Sequence, residues 1–165
     1  MTTHEKTFSV SDWLTGRLPA DWFTSVEVTI DREEILILGT IPADDATTPD
    51  AQSGRIRRFR EDTRAARIEI ALELEERTGR KVSWAVACGA TTEVFTRLSV
   101  PVMTRLNQPQ RQVLDTLVEA GVARSRSDAL NWCVRLVAQH QGEWLAELEA
   151  AMGSVREARA KGPTA

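Results

Sequence analysis

Two stretches in the first third of the chain carry the apolar patterns of neighbouring strands. Residues 25–30 alternate between polar and apolar side chains, and residues 34–41 are more continuously apolar. Period-two alternation is the pattern of a strand with one buried face, and a short apolar run indicates a more buried strand. Residues 31–33 are charged and can turn the chain, so the two stretches predict a β-hairpin.

The rest of the first half predicts one long helix and one more strand. Apolar residues recur at helical spacing over residues 54–79, and Gly79 is suited to end that helix. A short helix is expected near residues 9–16, a polar surface loop over residues 42–53, and a strand over residues 81–87. Together these elements predict a small α+β unit of β-β-α-β type.

A third alternating stretch opens the second half. From Val94 to Leu106 every second residue is apolar or Thr, which again predicts a strand with one buried face. The stretch is long for one strand, and Pro101 has no N–H group to donate to a ladder. We therefore expect residues 94–100 to join the sheet of the first unit and residues 101–106 to form a separate strand.

Two helices are predicted after this strand. Asn107 is a favourable N-cap and Gly121 a favourable stop for the first of them. A Ser at position 125 or 127 can cap the second, whose apolar stripe continues to about residue 160. That pattern predicts one long last helix, weakened at Gly142 and Gly153.

This strand-helix-helix segment cannot bury its apolar faces within one chain. A single strand also leaves its backbone N–H and C=O groups without partners. The simplest solution is a homodimer, or a higher assembly built on it, in which two copies pair their strands antiparallel. We therefore predict two domains, an α+β unit over residues 1–97 and a dimeric unit over residues 98–160.

Composition narrows the possible functions. The net charge of −3 argues against a protein that coats nucleic acid non-specifically, yet residues 97–135 carry six Arg against three acidic residues, a local net charge of +3. No motif for catalysis, a metal or a cofactor appears, so we expect a protein that is not an enzyme. The sequence shows no apolar run of membrane-spanning length and no signal peptide. Cys88 and Cys133 fit free thiols better than a disulfide. We therefore expect a cytoplasmic protein without a membrane partner. The Arg-rich usage indicates a bacterial source.

Three short runs in the second half resemble the ribbon-helix-helix family of DNA-binding proteins. They are residues 102–106 in the strand, residues 117–122 at the end of the first helix, and residues 124–130 at the start of the second. The resemblance covers residues 98–140, about a quarter of the chain. It implies a fold in which a small α+β unit is fused to a dimeric ribbon-helix-helix with a long C-terminal helix, and double-stranded DNA as the partner.

The resemblance also assigns roles to individual side chains. A two-stranded ribbon fits the major groove, and by the alternation its outward residues are Pro101, Met103 and Arg105. Arg105 is the strongest candidate for a base contact, because a guanidinium can bond guanine O6 and N7 together. The start of the second helix would lie over the DNA backbone, and its candidate phosphate contacts are Arg124, Ser125, Arg126 and Ser127.

The first unit contributes a possible accessory site. Its long helix begins with many basic residues and ends with acidic ones, the reverse of what the helix dipole favours. Arg55, Arg57 and Arg58 could form an anion patch for DNA phosphates or a ligand, or could simply be a solvated face. Trp13, Trp22 and Trp84 could likewise pack in the core or face a ligand.

These observations favour a sequence-specific transcriptional regulator that acts as a homodimer in the bacterial cytoplasm, associated with the nucleoid. Two alternatives stay open. One is an antitoxin of a toxin–antitoxin pair, and the other is a dimeric interaction module that does not bind DNA.

Overall fold

The computed structural model describes residues 8–162, which form an α+β protein with six helices and one four-stranded sheet. In chain order the elements are α1 (Val10–Arg17), β1 (Ser25–Ile30), β2 (Glu34–Ile41), α2 (Pro49–Asp62), α3 (Arg64–Thr78), β3 (Lys81–Cys88), β4 (Thr91–Val94), α4 (Gln108–Glu119), α5 (Arg126–His140) and α6 (Gly142–Ala160). The chain divides into two compact units between Pro101 and Val102, close to the boundary predicted after residue 97.

The sheet of the first unit has the order β1-β2-β3-β4. β1 and β2 form the predicted antiparallel hairpin, in register from Ser25–Thr40 to Ile30–Ile35. β2 and β3 are parallel, because α2 and α3 carry the chain back across the sheet between them. β4 returns antiparallel to β3 and forms the second edge.

The core of the first unit lies where the helices cover the sheet. Ile37 and Trp84 are partners across β2 and β3, and they pack with Ile70 and Leu74 of α3 and Leu14 of α1. Ser9 caps α1 by accepting a hydrogen bond from the N–H of Asp12, so the predicted first helix is confirmed. A second cluster, in which Ile56 of α2 packs against Ile41 of β2 and Val86 and Cys88 of β3, extends the core.

The predicted helix over residues 54–79 is wrong in two respects. The helix starts earlier, at Pro49, because the Thr48 side chain caps it and Pro suits a first turn. It also breaks at Thr63, whose hydroxyl donates to the carbonyl of Phe59 and accepts from the Arg67 guanidinium. Part of the predicted surface loop over residues 42–53 is therefore helical.

The predicted end of the sheet is also wrong. Gly89 has a φ of +57°, which allows a tight turn directly after β3. The last strand is therefore β4 at Thr91–Val94, mostly between the strands predicted over 81–87 and 94–100, whereas residues 96–107 contain no strand or helix in a single chain. The predicted strand over 94–100 is replaced by this irregular segment.

The second unit holds three helices. Asn107 and Gln110 form a reciprocal capping box at the start of α4, and Gly121, with a φ of +75°, follows its end, as predicted. The predicted single last helix is wrong, because the backbone leaves the helical conformation at Gln141 (φ −121°, ψ 23°) and separates α5 from α6. Gly142 weakens the helix at that point, whereas Gly153 lies inside α6.

Candidate functional site

The segment predicted to read DNA bases is exposed in the single chain. Met103 is 94% exposed, and Pro101 and Arg105 are exposed as well. The predicted burial of the alternate residues is not seen, since Val102 is 84% exposed. Within the described residues of one chain this face stays uncovered, and among residues 101–106 only Leu106 packs against the small core of the second unit.

The backbone of this segment is equally unpartnered. Within the described part of the chain, no backbone N–H from residue 96 to residue 106 donates a hydrogen bond. Strand-forming sequence with free N–H and C=O groups is a template for pairing with another strand.

An open groove of about 840 Å³ lies between residues 102–106 and the helices α4 and α5 of the second unit. The groove brings together residues that the sequence predicted for two different roles. Arg105, the candidate base contact, lines the groove with Arg126 and Ser127, two candidate phosphate contacts. Arg111 adds a third guanidinium, which the sequence did not single out and which donates to the carbonyl of Leu106 at 2.6 Å.

The N-terminus of α5 is well capped. Ser125 is the N-cap, and its hydroxyl accepts the N–H of Asp128 at 3.1 Å. The Asp128 carboxylate accepts the backbone N–H of Arg124 at 3.0 Å, and this bond holds the pKa of Asp128 below its ordinary value. The Ser125 hydroxyl is thus engaged in the cap, while the N–H groups of Arg126 and Ser127 have no intrahelical acceptor. These two groups are suited to an anion.

Arg126 is held in place by an ion pair between α4 and α5. Its Nε and Nη2 atoms donate to the two carboxylate oxygens of Asp115 at 2.7 and 2.8 Å. The hydrogen bonds lower the pKa of Asp115 and raise that of Arg126. This pair fixes the guanidinium beside the α5 N-terminus but neutralises part of its charge. The side chain of Arg124 is 94% exposed, and its Nε lies 3.7 Å from Oδ2 of Asp128, a looser ion pair.

The predicted accessory patch on α2 is not an open cationic surface. Arg55 pairs with Asp44 at 2.9 Å and also donates to the carbonyl of Ala43. Arg57 pairs with Glu61 at 3.1 Å, so among the three only Arg58 forms no ion pair in the described part of the chain. The acidic residues before and after these Arg side chains provide their partners.

Residues 8–162 contain no cluster of His, Cys, Asp and Glu that could hold a metal ion. Over the same residues, no helix has both the length and the apolar character needed to cross a membrane.

Two family models match the chain, one in each unit. The model described as Rv1265-like protein, N-terminal domain, matches residues 8–94, and the model described as Mb1296 C-terminal domain matches residues 107–159. The first match covers more than half of the chain. The chain therefore belongs to the Rv1265-like family.

Mycobacterial relatives match along nearly the whole chain. The protein described as uncharacterized protein Mb1296 from Mycobacterium bovis is 54% identical over 157 residues, which cover 93% of this chain and 70% of the relative. The uncharacterized protein Rv1265 from Mycobacterium tuberculosis matches with the same identity and the same coverage of both chains. No solved structure matches the chain.

Proposed function

We propose that this protein is a homodimeric, sequence-specific DNA-binding transcriptional regulator of the ribbon-helix-helix type. The observation that carries the proposal is the exposed stretch over residues 102–105, whose backbone N–H groups donate no hydrogen bond within the described residues and whose side chains line one groove with the start of α5. The first unit would be fused to this dimeric DNA-binding unit.

Dimer formation follows from the unpaired segment. Two copies of residues 101–106 that pair antiparallel would satisfy each other's backbone groups and cover the Val102 side chain, which is exposed in one chain. The exposed apolar side chains Val113, Val134 and Val137 on α4 and α5 offer further surface for the second copy to cover.

The same pairing produces a DNA-reading surface. A two-stranded ribbon enters the major groove, and the outward side chains of residues 101, 103 and 105 meet the base edges. Arg105 forms no hydrogen bond or ion pair within the described residues, so its guanidinium is available for guanine. The N–H groups at the start of α5, together with Arg124 and Arg126, would hold a phosphate and set the register without reading sequence.

A dimeric interaction module that does not bind DNA is the second candidate. It is favoured by the exposed apolar stripe on α6, formed by Trp144, Leu145, Leu148, Met152 and Val155. The net charge of −3 also favours it.

The test compares genome-wide DNA occupancy of the native protein with that of Arg105→Ala. One lost bidentate base contact costs about 1–3 kcal/mol of discrimination, so affinity for the strongest sites should fall about 5-fold to 150-fold. Arg156→Ala on α6 is the matched control, because it removes the same charge from an exposed helix position. Sharp peaks lost only in Arg105→Ala would support the proposal.

Two outcomes would count against it. Equal losses in both variants would mean that Arg105 contributes charge alone. Absence of occupancy for the native protein would favour the interaction module.

A further inference from the structure

Three guanidinium groups gather at the junction of α2 and α3 in the first unit. Arg60 lies near the end of α2, and Arg64 and Arg67 lie in the first turn of α3, on the two sides of the break at Thr63. With Trp84 of β3 and Phe95 after β4 they line a pocket of about 310 Å³. Within the described residues, none of the three pairs with a carboxylate.

Arg67 is the most unusual of the three, because its side chain is buried. Its Nε donates to the hydroxyl of Thr63 at 3.0 Å and its Nη2 to the carbonyl of Arg60 at 2.7 Å, so both acceptors are neutral. Burial first, and the nearby charges of Arg60 and Arg64 second, lower the pKa of Arg67 to about 10. Buried cations are normally paired with an anion, and this one lacks such a partner among the described residues.

Trp84 gives a second, independent indication. Trp84 is only 5% exposed. Its indole Nε1 is buried and has no hydrogen-bond acceptor among the described residues. The indole N–H can only donate, and buried donors in native proteins are nearly always satisfied. Trp84 lines the pocket, but its Nε1 has almost no accessible surface, so an oxygen atom of a bound molecule would supply the missing acceptor through a small local movement of the side chains that cover it.

The remaining wall of the pocket is apolar apart from Thr96. Phe95 lies under two guanidiniums, with centroid distances of 5.1 Å to Arg60 and 4.8 Å to Arg67. Ile68, Ala71 and Val82 complete this side. The cation–π contacts account for the positions of Arg60 and Arg67, but they provide no acceptor for Trp84 and leave Arg64 without a hydrogen bond or ion pair within the described residues.

We propose that this pocket binds a small organic anion that has a phosphate or carboxylate head and a compact apolar body. The head would accept hydrogen bonds from Arg64, Arg67 and the Trp84 indole, and the body would lie against Phe95 and Ile68. The volume of about 310 Å³ is at the lower end of the range for small-molecule sites and therefore suits a compact ligand. This site is separate from the proposed DNA-binding segment and does not depend on that function.

The experiment measures binding of phenyl phosphate and of benzoate to the full chain by calorimetry. Inorganic phosphate and phenol, the two halves of phenyl phosphate, are measured separately for comparison. NMR of the indole N–H groups reports on the same site, and Trp84→Phe assigns the Trp84 resonance. Phenyl phosphate or benzoate should bind with one site per chain, at least about tenfold more tightly than either half, because charge and apolar contacts then act together. The Trp84 resonance should shift on saturation.

Arg64→Ala is the decisive variant, because this side chain is exposed and makes no contact that folding would need. It should weaken binding at least about tenfold, the effect of losing one charge-assisted hydrogen bond. Arg57→Ala is the matched control, since Arg57 lies on α2, pairs with Glu61 and does not line the pocket. Binding by Arg57→Ala should equal that of the native chain.

Three results would overturn the proposal. The first is equal binding by Arg64→Ala and Arg57→Ala. The second is an unchanged Trp84 indole resonance at saturation. The third is absence of small-molecule binding together with weaker DNA binding in Arg64→Ala, which would assign these Arg side chains to DNA phosphates.

Discussion

Replacing Leu114 by Ala tests whether the second unit has a hydrophobic core of its own within one chain. Leu114 is 5% exposed, and its buried neighbours are Ala123 and Ala129. Because both neighbours are small, Leu114 supplies most of the buried side-chain volume of this cluster. Burying Leu is generally worth about 2–5 kcal/mol relative to Ala. The surrounding side chains, such as Leu117, are only partly buried and can relax into the space, so we expect about 2–3 kcal/mol.

A loss of that size is easily measured in a unit this small. For domains of 60–100 residues, about 1 kcal/mol lowers Tm by about 4–8 °C, so the transition of the second unit should fall by about 8–24 °C. The first unit has a separate core and should keep its own transition. Far-UV circular dichroism would follow both, since each unit contains helices.

Gln112→Ala is the control for this measurement. Gln112 lies two residues before Leu114 on α4 and is exposed, so its truncation should change the free energy of unfolding by less than about 0.5 kcal/mol. The comparison is made at low protein concentration, where a dimer contributes least. Equal Tm values for Leu114→Ala and Gln112→Ala would refute the assignment of Leu114 as the core residue.

Two further predictions concern single positions. Asp128 has a lowered pKa because it accepts the N–H of Arg124. The Asp128 carboxylate therefore stabilises the fold fully above the pKa of an unfolded Asp, about 3.9, and this stabilisation is lost as the pH falls through the lower pKa of the folded state. Asp128→Asn should lower Tm at neutral pH, and the difference should vanish in thermal scans at acidic pH. A Cβ at Gly39 would come within 2.2 Å of the Phe23 ring, so Gly39→Ala should destabilise the first unit by about 1–3 kcal/mol in chemical denaturation. Gly54→Ala, in open space on α2, should instead stabilise by about 0.5–1 kcal/mol, and stabilisation by both substitutions would contradict the packing described for Gly39.

The sequence predicted those helices and strands that are determined by residues close to one another along the chain. The hairpin of β1 and β2 follows from alternation and a charged turn, and α4 follows from Asn107 and Gly121. In each case the residues that determine the structure lie within a few positions of each other. Periodicity and capping could therefore identify these elements without knowledge of the tertiary fold.

The breaks inside helical stretches could not be predicted in the same way. Thr63 is a poor helix former but not a strong breaker, and the α2–α3 junction depends on its hydroxyl contacts with Phe59 and Arg67. Gln141 carries no breaking signal either, although Gly142 beside it does. Apolar stripes continue through both positions, so periodicity alone predicted single long helices.

The ion-pair partners of charged side chains could not be predicted from the sequence either. Arg126 and Asp115 are eleven residues apart and meet only because the turn after α4 reverses the chain. Arg55 of α2 likewise meets Asp44, eleven residues earlier, because Asp44 lies in the turn before that helix. Counting basic residues locates basic stretches of the sequence, but it could not separate neutralised guanidiniums from free ones.

Free guanidiniums in different surroundings suit different anions. Arg105 projects from an exposed segment, beside the α5 N-terminus, where a long polyanion can approach and where water screens each contact. Arg67 is buried between Trp84 and Phe95, where its lower exposure to water makes a contact with an anion stronger than one at an exposed side chain. A net charge of −3 makes general attraction to polyanions weak. Recognition of DNA by this protein would therefore rest on the few cations of the second unit, and the cations at the α2–α3 junction are better suited to a small ligand.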